Sequence, residues 1–146
     1  MSNLDHQNPV RECRTVGLLA ARRMIEAALD HAQELNCLVS VVVLDAGGNV
    51  SALARQDTVA AAVTTVAHNK ANTALALRQP TDEFARAVQS NQVLVTSLCA
   101  QPGFALLAGG LPLIEDGEVV GAVGVSGARD GKDLDIAMAA AKALHA

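Results

Sequence analysis

The stretch "VTTVAHNKANTALAL" (63–77) has apolar residues at helical spacing, with a lysine among them. On a helix Val59, Val63, Val66, Thr73, Ala74 and Leu77 gather on one stripe, and Lys70 falls in the middle of it. Burying an unpaired ammonium costs several kcal/mol. This one must therefore reach water, pair with a carboxylate, or meet an anionic ligand. Asp45, at the end of an apolar strand pattern, is the candidate internal partner. Arg55 closes the next strand and is expected at the same end of the sheet. One carboxylate between two cations leaves a positive spot suited to a carboxylate or propionate. A turn-capping Asp45 and a plain structural salt bridge are the competing readings.

Other residues carry weaker signals. Gly109 and Gly110 let backbone N–H groups face an anion, or simply make a tight turn. Ala122, Gly124 and Ser126 line one face of a strand and leave room for a helix or a ligand. No two histidines have metal-ligand spacing, so a zinc or non-haem iron site is not expected. His31 lies at the edge of an apolar helix face and His68 on the polar side of its own helix, places where a histidine is more often packed or solvated than an iron ligand; a single axial haem ligand stays open, because haem needs only one. Cys99 and Ser126 have no neighbouring base that would make either a nucleophile.

The elements that must position these residues follow from periodicity and punctuation. Residues 1–10 are polar and read as a loose arm; 11–146 read as one domain. A helix is expected from about Arg11 to Asn36, then a hairpin with strands near 38–45 and 49–55, the first of them apolar on both faces and so interior. Asp57 or Thr58 would cap the helix of Lys70, which must stop before Pro80, and Thr81 would cap the next. "QVLVTSL" fits a strand or a continued helix. A second hairpin turns at Asp116-Gly117, and Asp130 or Asp133 opens a last helix. The element pattern is α+β.

Composition excludes several classes. With 51% hydrophobic and 18% charged residues the chain is not disordered, and no apolar run is long enough for a membrane span. The beginning, "MSNLDHQNPVRECR", lacks the apolar core of a secretory signal, so the expected compartment is cytoplasmic. Three widely spaced cysteines make neither a disulfide framework nor a zinc site. A net charge of −4 and only two phenylalanines as aromatics argue against nucleic acid.

Taken in order, "VVLDAGGNVSALAR", "KANTA", "PGFALLAGGLPLIEDGEVVGAVGVSG" and "DLDIAMAA" resemble the GlcG/HbpS family of haem-binding or haem-degrading domains, also found at the C-terminus of PduO-type proteins. The likeness runs from about residue 13 to 144. Two stretches depart from it, "RQDTVA" in place of "R-M-D-G-A" and "SGA" in place of "S-G-G". The resemblance implies a profilin-like fold: a five-stranded antiparallel sheet flanked by helices, assembled as dimers that build oligomers up to an octamer. It also implies a pocket at Asp45, Arg55, Lys70, Gly109, Gly110 and Ser126.

Two functional readings stand side by side. In the first, the chain binds haem or a related anion; Lys70 and Arg55 neutralise propionates and His31 or Thr73 approaches the iron. In the second, it is a cofactor-free isomerase, tautomerase or deaminase acting on a small carboxylate. There Arg55 orients the substrate while Lys70 and Asp45 shuttle a proton.

Overall fold

The computed structural model describes residues 8–146, so most of the expected arm lies outside the described residues. Helix α1 (Leu18–Glu34) leads into a hairpin of β1 (Ser40–Asp45) and β2 (Val50–Arg55). Three helices follow, α2 (Ala61–Leu77), α3 (Thr81–Val88) and α4 (Gln92–Cys99). A second hairpin, β3 (Gly110–Glu115) and β4 (Glu118–Ser126), precedes α5 (Lys132–Lys142). The four strands form one antiparallel sheet in the order β2-β1-β4-β3. The chain is thus α+β, with β1 inside the sheet as its two-faced apolar pattern requires.

The sheet is the middle of three layers. Val39, Val41, Val43, Val123, Val125 and Leu113 meet α1 and α5 on one face. Val42, Leu44 and Ala122 meet Ala67, Ala71 and Ala74 of α2 on the other. With almost no aromatics, the core depends on close approach. A β-carbon at Gly124 would run into the backbone oxygen of Ala67, and one at Gly110 into that of Lys70. The small-residue face of β4 is therefore mostly a seat for α2. Only its Ser126 end stays open.

Several expectations are corrected. The sheet has four strands among the described residues, not five. "QVLVTSL" is helix α4, whose Asn91 cap accepts the Leu94 N–H at 3.0 Å. α1 starts at Leu18, not Arg11, because Val16 gives its N–H to Val120 of β4 and Thr15 accepts from Ala46. Residues 14–16 are thereby drawn out along the sheet. Neither Asp57 nor Thr58 caps α2, and Pro80 takes the N-cap position that Thr81 was expected to fill. No helix among the described residues is long and apolar enough to cross a membrane.

The contact at Gly124 makes a direct test. Gly124→Val is expected to cost about 3 kcal/mol or more, since backbone blocks the new side chain. Gly17→Ala, which meets nothing within 4 Å, should cost under about 1 kcal/mol. Urea unfolding of both variants checks this; equal costs would contradict the packing.

Candidate functional site

Lys70 is buried because α2 lies flat on β4 with alanines at 67, 71 and 74, and its side chain lies along the same buried face. Its Nζ donates to Asp133 Oδ2 and to the Val125 carbonyl, both at 2.9 Å. The Lys70 side chain is 3% exposed and that of Asp133 14%. The carbonyl is available for a local reason. In an antiparallel ladder a residue that gives its N–H to a partner usually takes one back. Val125 gives its N–H to Gly109 at 2.9 Å, but Gly109 sits at φ +119° and the chain turns away. The ammonium supplies the donor instead. A β-carbon at Gly109 would come within 3.2 Å of Nζ, so glycine leaves the space the amine fills.

Asp133 lies in the first turn of α5, where the helix dipole favours a negative charge. Its other oxygen accepts the Ala128 N–H at 2.8 Å, which fixes the loop between β4 and α5. The ion pair thus joins α2, the end of β4 and the start of α5.

Above the pair opens a pocket of about 390 Å³, walled by Val63, Leu107, Ala108, Ser126, Gly127 and Gly131. Two buried threonines hold the wall that carries Leu107. Thr73 accepts the Ala105 N–H at 2.8 Å and donates to Asn69 at 2.7 Å. Thr81 donates to Leu107 and accepts the Gly110 N–H at 3.1 Å. The Ser126 hydroxyl, at the rim of the buried pair, has no hydrogen-bond partner among the described residues. Lys70 has a third N–H beyond the two already committed. The pocket therefore offers donors, a hydroxyl and an apolar wall.

Of the residues expected from sequence, Lys70 and Ser126 line this pocket; Gly109 makes room for the amine and Gly110 lies against the Lys70 backbone with its N–H given to Thr81, and neither glycine lines the cavity. Asp45 does not pair with Lys70. It closes the first hairpin by accepting the Gly47 and Asn49 N–H groups, each at 2.9 Å. The Asn49 backbone N–H, helped by the Asn49 side chain and Gly47, holds its carboxyl below the usual value. The expectation that Asp45 and Arg55 share an end fails on hairpin geometry. Arg55 pairs with Ser40, five residues back along β1, roughly 16 Å from the turn. Arg55 is exposed and donates to the Val59 carbonyl at 2.8 Å. Thr73 serves the loop wall, not the cavity. His31 belongs to α1, across the sheet, and bonds Glu34 at 2.9 Å. Asp133 was missed as the partner because it lies 63 residues from Lys70 and reads as an ordinary helix opener.

Residues 17–142 match the family model described as haem degrading protein HbpS-like. This chain belongs to the HbpS-like family. Protein GlcG of Escherichia coli K12 is 36% identical over 106 residues, covering 73% of this chain and 77% of GlcG. The crystal structure of Klebsiella pneumoniae protein ORFY matches with a TM-score of 0.89 at 34% identity, covering 96% of this chain and 97% of that one. A solved complex of PduOC with haem matches with a TM-score of 0.81 at 29% identity, over 90% of this chain and 96% of that one.

The ion pair predicts a non-additive pattern. Lys70→Met or Asp133→Leu alone should cost about 3–5 kcal/mol by leaving a buried charge or its partners unpaired. The double variant should cost clearly less than the sum, as read from urea midpoints. Additive costs would mean the two groups do not interact.

Proposed function

We propose that this chain binds a small anionic ligand, with a carboxylate of that ligand meeting Lys70 and Ser126 in the pocket over the ion pair, and that haem is among the ligands its kinship points to. The observation that carries the first part is the buried Lys70 ammonium, with an N–H to spare beside the unpartnered Ser126 hydroxyl. Asp133 offsets much of the charge, so recognition there rests on hydrogen bonds more than on net attraction. A pocket of about 390 Å³ lies within the usual small-ligand range.

Haem does not fit this pocket as an iron ligand set. Its lining has no His, Cys, Met or Tyr, the donors that hold haem iron. The Lys70 nitrogen is already engaged as a donor to Asp133 and Val125. The pocket suits a carboxylate end, and its one carboxylate, Asp133, is engaged by Lys70 and the Ala128 N–H.

The enzymatic reading changes its second residue. Asp45 is bonded to Gly47 and Asn49 in its own turn and not to Lys70, whereas Asp133 touches the ammonium in the pocket itself. An acid–base pair acting on an enolisable carboxylate would use Lys70 and Asp133.

Titration of ¹⁵N-labelled protein with propionate tests the binding reading. Saturable shifts are expected at the Gly109, Gly127 and Ala128 amides, with affinity about fivefold weaker in Ser126→Val for one lost hydrogen bond. Shifts that fail to saturate, or are unchanged in that variant, would overturn it. Deuterium entering an enolisable 2-oxo acid with the wild type, and not with Asp133→Asn, would instead mark catalysis.

A further inference from the structure

The disagreement between haem and the Lys70 pocket directs attention to the opposite flank of α2. That helix covers β4, β1 and β3 and leaves the same face of β2 bare. Leu53, 46% exposed, and Arg55 stand on this face two residues apart. Facing them from α2 are Ala61, Thr64, Thr65 and His68, at positions i, i+3, i+4 and i+7 of one helical face. Strand and helix enclose an open groove of about 350 Å³ lined by these six residues, none of them acidic.

The polar groups of the groove divide into committed and available ones. Thr64 is bonded to Ser40 at 2.7 Å, and Thr65 turns back to the Ala61 carbonyl at 3.5 Å. Arg55 Nη1 is fixed on Val59 at 2.8 Å, which anchors the guanidinium and leaves its remaining N–H groups free to clamp an anion. His68 is half-buried and has no hydrogen-bond partner among the described residues. An imidazole without a partner, on a wall otherwise made of methyl groups, calls for a ligand that brings its own partner for nitrogen.

We propose that haem docks in this groove, with a ring nitrogen of His68 on the iron, a propionate on Arg55, and the porphyrin face against Leu53, Ala61 and the threonine methyls. A metalloporphyrin supplies each thing the groove lacks: a metal for the imidazole, a carboxylate for the guanidinium, and a flat apolar body. The proposal rests on the haem part of the reading above and moves the iron away from Lys70. In the sequence His68 reads only as a polar-face histidine, and Arg55 as the end of its strand; the fold is what brings the two to one groove.

The test is titration of the full chain with ferric haem, read by the Soret band and by resonance Raman for a histidine-ligated iron. Wild type should saturate at one haem per chain with a histidine signature. His68→Ala alters a side chain with no internal hydrogen bond, so it should fold normally. It should lose that signature, bind at least tenfold more weakly, and recover the spectrum when free imidazole is added. Arg55→Lys should weaken binding severalfold and keep the signature. A wild-type spectrum in His68→Ala would overturn the proposal. So would loss of the signature in Ser126→Val but not in His68→Ala, which would return haem to the Lys70 pocket and leave the family reading standing. Absence of saturable binding by the wild type would overturn both.

Discussion

A charged amine inside an apolar layer has to be satisfied, and the way Lys70 is satisfied organises the functional end of this molecule. Its nitrogen meets Asp133 and the Val125 carbonyl, so one side chain fastens a helix, a strand end and the following helix to one another. Each neighbour is shaped by that arrangement. Gly109 leaves the space for the amine and turns the chain away from the carbonyl it would otherwise pair with. Thr73 and Thr81 hold the loop that becomes the pocket wall. The pocket is the volume left above the ion pair once these parts are fixed.

A scarcity of aromatic side chains explains the rest of the architecture. Two phenylalanines cannot fill a core, so layers of Val, Ala and Gly must approach closely, with α2 resting on Gly124 and Gly110. A helix this close to β4 cannot also reach β2, and the outer face of that strand stays uncovered. The same economy of volume that seats Lys70 on one side of α2 thus leaves a groove on the other. Helix α4 is a further consequence. It packs mainly on α3, with Val93 79% exposed and no residue of the helix buried.

Elements with a strong period or a strong turn were legible in sequence. Both hairpins, the interior position of β1 and the misfit of Lys70 on its helix could be read directly, because alternation, Gly-rich turns and a lone charge are local signals. What pairs with Lys70 could not be read, since Asp133 is brought there only by the return of β4 and the turn into α5. Asp45 and Arg55 do not share an end of the sheet, because residues equidistant from a turn meet and Arg55 is opposite Ser40. The α4 segment was ambiguous because Val and Leu suit either a strand or a helix, and the Asn91 cap decided between them. His68 shows the converse. Helical spacing put it opposite Lys70, correctly, yet nothing local indicated that β2 would rise beside it to make a wall.

The account stands on Lys70 carrying its proton inside the fold while touching Asp133. The most direct measurement is the ¹⁵N ammonium spectrum of lysine-labelled protein, in which Lys132 and Lys142 serve as internal references. One slowly exchanging ammonium, coupled through its hydrogen bond to the Asp133 carboxyl carbon, is the expected result. Three lysine signals that all exchange at solvent rates, with no such coupling, would contradict it.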